Sequence, residues 1–251
     1  MNKNEYFRRI GAAETAISPN LDSLRLLQKK HLLAVPFENL DIHWNKEILL
    51  DSGKFYEKIV ENRRGGFCYE LNGLFFGLLN RIGFESKIIS ARVSDGNGGF
   101  GPEFDHLAIV SRVKGEEYLV DVGFGDFSAE PLKIVPDAEQ IDQNGTFSIK
   151  EAEDDYLEVV KITGSGLKSE YIFRNSAHEL GEFADMCRFH QTSAESHFTR
   201  GKLCSLMTEN GRKTLTEKSF IKTSNGRKEE FPVDSESSFY EILKAEFRIA
   251  R

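Results

Sequence analysis

Apolar positions change their spacing once along this chain. Over roughly the first eighty residues they recur at helical intervals. "SPNLDSLRLLQKKHLLAV" predicts a helix behind a cap-like Ser18 and a first-turn Pro19, and Pro36 stops it. "SGKFYEKIVENRRGG" predicts a second, with Phe55 and Ile59 turned inward and Gly65 and Gly66 ending it. A third runs from about Cys68 to Arg81 and is closed by Gly83, with apolar residues at 71, 74, 75, 78, 79 and 82 along one face.

From Ser86 the pattern alternates, in "SKIISARV", "FDHLAIVSRV", "EEYLVDVGF", "TFSIKEA", "DYLEVVKIT" and "SEYIF", with Gly, Asn and Asp between the runs. Short strands at this spacing predict an antiparallel sheet or barrel. Ser176 reads as the cap of a helix through "AHELGEFADMCRF", whose core stripe is Leu180, Phe183, Ala184 and Cys187. Near the end, Asn210-Gly211 and Asn225-Gly226 read as turns between strand-like runs. A capping box over Ser238 to Glu241 then opens a last helix with Phe239, Ile242, Leu243 and Phe247. The chain thus divides into a helical unit over 1–84, a β unit over 85–175, a connecting helix over 176–193 and a small α/β unit over 194–251.

Composition narrows the function classes. With 251 residues, 39% of them hydrophobic and 29% charged, the chain is long enough to bury a sizeable core without a metal or disulfide staple. A net charge of −7 supplies no field that draws it to nucleic acid or to an anionic membrane. "MNKNEYFRRIGAAET" has no apolar core of signal-peptide length, and no segment approaches the ~18 apolar residues of a membrane span. Three cysteines at wide spacing form no disulfide framework and suit a reducing, cytoplasmic setting, and the absence of CxxC and HExxH motifs leaves no metal site to expect. Twenty phenylalanines suggest aromatic-lined interiors or pockets.

Cys68 lies three residues before Leu71, on the inward face of the first helical turn. There free amides and the positive end of the helix dipole favour a thiolate. A buried structural cysteine is the alternative, and for Cys187 on its apolar stripe that account suffices. A nucleophile needs a base. "FDHLAIVSRVKGEEYLVDVGF" reads as a hairpin about Lys114-Gly115, in which residue 113 faces 116 and Asp121 opposes Ala108. Asp121 is then a diagonal neighbour of His106 on one sheet face, about 7–8 Å away at the backbone, provided the turn holds two residues. His31, His43, His178 and His197 are read as solvated or capping, and His190 as structural.

These stretches resemble the arylamine N-acetyltransferases. "RRGGFCYELNGLF" is similar to that family's nucleophile motif, "DHLAIV" to its histidine strand and "LVDVGFG" to its aspartate strand. "VPFENLDIH" and "FHQTSAESHFTRGKLCSLMTENGRKTL" extend the likeness over most of the chain. The resemblance implies an α+β multidomain fold: an N-terminal helical bundle, a central antiparallel β-barrel and a C-terminal α/β lid, with a cysteine-protease-like Cys-His-Asp arrangement. It implies a triad of Cys68, His106 and Asp121, and acetyl-CoA as co-substrate. Acetyl would pass through a cysteine thioester to an arylamine, hydrazine or N-hydroxyarylamine by ping-pong kinetics, as in xenobiotic metabolism. It also puts Arg64 near the site, and Phe37, Val93, Phe124 and Phe198 in the acceptor pocket or CoA cleft. Gly98, in the loop "GNGGFG", would approach that cleft. A related amide synthase, or a transglutaminase-like thiol acyltransferase or hydrolase, would share the triad. Monomer and homodimer are both compatible with the sequence.

Overall fold

The first helices begin where a side chain takes an amide that the first turn leaves without a partner. In the computed structural model, which describes residues 1–13 and 16–251, α1 (Lys3–Ile10) starts on Asn2 and α2 (Leu21–Ala34) on Asn20. Asn20, not Ser18, caps α2: it is extended (φ −134°, ψ 169°), and its side-chain oxygen accepts from the Ser23 amide at 2.9 Å. Val35 is extended too, as a residue before proline must be, and Pro36 ends the helix.

A two-residue strand β1 (Phe37–Glu38) and a short helix α3 (Leu40–His43) follow. α4 (Ser52–Tyr56) passes into a wider π turn over Glu57–Glu61. It stops short of Gly65 and Gly66, because Arg63 already turns left-handed at φ 53°. α5 (Cys68–Ile82) ends on Gly83 at φ 102°, as its position requires. Leu71, Leu74, Phe75, Leu78 and Leu79 of α5 are fully buried against α1, α2 and α4.

The alternating region forms eight strands: β2 (Glu85–Val93), β3 (His106–Val113), β4 (Glu116–Val120), β5 (Leu132–Lys133), β6 (Gln140–Asp142), β7 (Gly145–Glu151), β8 (Leu157–Thr163) and β9 (Gly166–Phe173). They pair antiparallel in the order β5-β4-β3-β2-β9-β8-β7-β6. The Gln140 side chain joins the two edge strands by bonding both ways to the Lys133 backbone, at 2.7 and 2.9 Å. The sheet is therefore a nearly closed barrel. Ile89, Ala91, Ala108, Phe147, Ile149, Tyr171 and Phe173 belong to its core. The β3-β4 hairpin has the expected register, Val113 facing Glu116 and Ile109 facing Val120. Its loop is Lys114 (φ 52°) and Gly115 (φ 83°), the two left-handed residues of a tight hairpin turn.

α6 (Ala184–Thr192) is preceded by a 3₁₀ turn over Leu180–Phe183 that starts on Glu179, not Ser176. A bridge between His178 and Ile88 keeps the segment extended past Ser176. Three residues per turn instead of 3.6 also shift the face, so Ala184 is exposed while Phe183 and Cys187 stay buried.

The second sheet contains β10 (Leu203–Thr208), β11 (Gly211–Thr216), β12 (Ser219–Ser224) and β13 (Arg227–Pro232), with β1 added at its edge against β10. Asn225 (φ 49°) and Gly226 (φ 77°) make the expected turn. Gly211 instead pairs with Thr208, which moves the first turn onto Glu209 and Asn210. α7 (Glu236–Phe247) is capped by Ser235 rather than by a box at Ser238, and packs Phe239, Leu243 and Phe247 against Leu215 and Phe220. Among the described residues no helix is long and apolar enough to cross a membrane.

Candidate active site

Phe67 (φ −100°, ψ −178°) turns the chain into α5, so Cys68 is the first helical residue and is buried. Glu70 steadies this turn by accepting the Phe67 amide at 3.0 Å. Burial pushes the Cys68 thiol well above its ordinary value. The carboxylates of Asp105 and Asp121 add to that, and the Tyr69 amide, donating to the sulfur, opposes it. Desolvation is the largest of these effects. Burial likewise raises Cys187, to about 12, and Cys204, so acidity does not single out Cys68; its neighbours do.

His106 opens β3 and Asp121 follows β4, on the same side of the hairpin. His106 Nε2 lies 2.7 Å from Asp121 Oδ2, with both side chains buried. Tyr171 donates its hydroxyl to the same oxygen at 3.2 Å, and the Gly123 amide donates to Oδ1 at 2.8 Å. The His106 ring packs edge-on against Phe124 at 5.1 Å and lies 5.5 Å from Tyr171. With Nε2 held by the carboxylate, Nδ1 is the ring nitrogen left for other chemistry.

α5 reaches this pair through Asn72, one turn beyond Cys68. Its amide nitrogen donates to Leu107 O at 2.6 Å and Asp121 Oδ1 at 2.9 Å, and its oxygen accepts the Val122 amide at 2.9 Å. Gly123 lies so close that a Cβ there would sit 2.9 Å from Cys68 Cα. These contacts bring Cys68, His106 and Asp121 into one neighbourhood. Sequence reasoning passed over Asn72; the available signal was an amide four residues after a cysteine, on a stripe otherwise apolar.

The remaining expected site residues fall in three places. Phe198 lies 6.1 Å from Phe37 and 5.8 Å from Phe67, ring to ring, at the turn that carries Cys68. Val93, Gly98 and Phe124 line one cavity of about 1130 Å³ on the barrel, together with Arg92, Asp126 and Tyr156. Arg64 is buried in an ion-pair network. Its guanidinium bonds Glu38 at 2.6 Å and Asp41 at 3.0 Å and covers the Trp44 ring at 4.6 Å. Lys58 completes the network, 2.8 Å from Asp41 and 2.9 Å from Glu70. Burial opposes ionisation of Asp41, yet Lys58 and Arg64 outweigh it and hold that carboxyl below its ordinary value.

His31 also departs from expectation. It is buried, not solvated, with Nδ1 2.7 Å from Tyr6 Oη, and burial, with Arg9 adding, lowers it to about 3. Among the described residues no group of His, Cys, Asp and Glu is arranged to hold a metal ion.

The N-acetyltransferase family model matches residues 20–250. The arylamine N-acetyltransferase of Escherichia coli is 31% identical, over 97% of this chain and 87% of its own length. The solved arylamine N-acetyltransferase from Salmonella typhimurium superposes with a TM-score of 0.91 at 29% identity, covering 98% of this chain and 90% of that one. That of Mycobacterium marinum, solved in complex with CoA, gives 0.90 at 25% identity over 99% and 93%.

Proposed function

The chain belongs to the arylamine N-acetyltransferase family, and from that premise we propose that Cys68 carries acetyl from acetyl-CoA to the nitrogen of an arylamine, hydrazine or N-hydroxyarylamine. In the first half-reaction the Cys68 proton passes to His106 Nδ1 as sulfur attacks the thioester carbonyl. The bond to CoA sulfur breaks, and the imidazolium returns the proton to the departing thiolate. In the second half-reaction the amine attacks the acetyl-enzyme, His106 takes the proton that becomes acidic as the C–N bond forms, and Cys68 leaves. Thioester exchange is nearly balanced in energy, whereas amide formation draws the second half forward.

The observation that carries this reading is the 2.7 Å bond from His106 to Asp121, clamped by Asn72 to the helix that begins at Cys68. Asp121 orients the imidazole, and the imidazolium formed when His106 takes the proton is the counter-charge to the sulfur. Amides at the start of α5 are the candidate donors to the tetrahedral oxyanion. Phe37, Phe124 and Phe198 would line the acceptor side, and Val93 and Gly98 the CoA cleft. In this reading the helical unit 1–84 brings the thiol, the barrel unit 85–175 the imidazole and carboxylate, and residues 194–251 a lid joined through the helix in 176–193. Three free thiols and the use of acetyl-CoA support a cytoplasmic setting.

Mixing the protein with acetyl-CoA should give one acetyl adduct by intact mass spectrometry, which peptide mapping places on Cys68 and an added arylamine discharges. Cys187→Ala and Cys204→Ala should keep the adduct. An adduct that persists in Cys68→Ala would overturn the assignment.

A further inference from the structure

A second imidazole and carboxylate meet on another side of the nucleophile. His190, in the last turn of α6, is buried. Its Nε2 lies 3.2 Å from Asp105 Oδ1 and 3.3 Å from the Asp105 carbonyl oxygen, and its Nδ1 lies 3.2 Å from Ser196 Oγ. Asp105 immediately precedes His106. Tyr69, which follows Cys68, donates its hydroxyl to Phe104 O at 2.7 Å and Asp105 O at 3.2 Å, and its ring lies 6.1 Å from that of His190. Ser196 Oγ accepts the Phe198 amide at 3.2 Å, and the Phe198 ring packs edge-on against His190 at 5.1 Å and against Phe67 at 5.8 Å. One imidazole therefore ties together the residue before His106, the residues on both sides of Cys68, and the C-terminal segment.

Nε2 faces two oxygens of Asp105, both acceptors, so it carries a hydrogen and donates to them, while Ser196 Oγ accepts the Phe198 amide and meets Nδ1. We propose that Asp105 and His190 are a positioning pair for acetyl transfer, fixing a carboxylate at the residue before His106 and holding Phe198 against the turn that carries Cys68. This rests on Cys68 being the reacting thiol. Burial is the main thing that opposes ionisation of Cys68, and of the two carboxylates that add to it Asp105 comes ahead of Asp121. Asp121 is answered by its bond to His106, and Asp105 by its bond to His190. The other titratable groups around this pair are Tyr69 on α5, Cys187 on α6 and His197, whose ring is 6.3 Å from His190. A thiol that keeps its proton at rest is also a poor target for oxidants.

The test is the pH profile of Cys68 alkylation by iodoacetamide, read on the Cys68 peptide by mass spectrometry, which needs no acetyl transfer. Asp105→Asn keeps an oxygen to accept from His190 and removes the charge. It should move the inflection down by about one unit, so that alkylation below both inflections is about tenfold faster. His190→Gln loses the reach to both Asp105 and Ser196. It should move the inflection up in the wild-type background and leave it unmoved in the Asp105→Asn background. An unmoved or raised inflection in folded Asp105→Asn overturns the proposal. If that variant does not fold, His190→Gln decides alone: an upward shift supports the pair, and no shift overturns it. In the wild type, absence of an acetyl adduct while Cys68 is still alkylated would instead count against Cys68 as the acetyl carrier.

Discussion

Replacing Asn72 separates the role of the hairpin from that of the helix behind it. The side chain is fully buried and makes three hydrogen bonds, to Leu107 O, Asp121 Oδ1 and the Val122 amide. Asp121 Oδ1 keeps the Gly123 amide when Asn72 is removed, so its loss is partial. The Val122 amide loses its side-chain acceptor, a change that costs about 1–3 kcal/mol, and the other two bonds are worth about 0.5–1.5 kcal/mol each. Asn72→Leu, which fills the space and keeps water out, should therefore lose about 2–6 kcal/mol in urea unfolding, and Asn72→Ala somewhat less where water enters. With Asp121 free to shift, the His106 ring loses its alignment. CoA release in the first half-reaction should then fall by about 10–100-fold in the fraction that stays folded. If Asn72→Leu stays within about 0.5 kcal/mol of the wild type and releases CoA at the same rate, the hairpin holds Asp121 without help from α5.

Arg64→Met strands Glu38 and Asp41 with Lys58 as their remaining cation, which should cost about 3–5 kcal/mol and appear as a lower melting temperature. The folded fraction should still form the Cys68 adduct at the wild-type rate, and a loss of acetylation without a loss of stability would make Arg64 part of the chemistry. His31 titrates near 3 in the folded chain against an ordinary 6.5, so the unfolded chain binds one more proton between those values. Its contribution to stability is complete above pH 6.5 and is lost as pH falls towards about 3. In urea midpoints taken between pH 6.5 and 4, His31→Gln should show a slope shallower by about 1.4 kcal/mol per pH unit, and parallel slopes would contradict this.

Capping was the least legible part of the fold. Asn20 displaces Ser18 and Ser235 displaces Ser238, because several side chains within three residues compete for the same amides, whereas past Ser176 the bridge from His178 to Ile88 keeps the chain extended and the turn starts on Glu179. Periods and turns read more reliably, since they rest on contacts within a few residues. The 3.6-residue stripe turned Cys68 inward, and the left-handed Lys114 and Gly115 set a register that put His106 and Asp121 on one face. The family motifs were legible for the same reason, each being a short contiguous run.

Long-range contacts lay beyond that reading. Asn72 meets Leu107 and Asp121 across 35 and 49 positions, Arg64 meets Glu38 across 26, and His190 meets Asp105 across 85. Each depends on how α5 and α6 lie against the barrel and on β1 joining the C-terminal sheet. The acidity of Cys68 shows the difference most directly. From the sequence, a helix start predicts a thiol made more acidic; in the folded chain, burial and the charge of Asp105 reverse that tendency. A helix dipole is a local property, whereas desolvation is decided by everything that closes over the group.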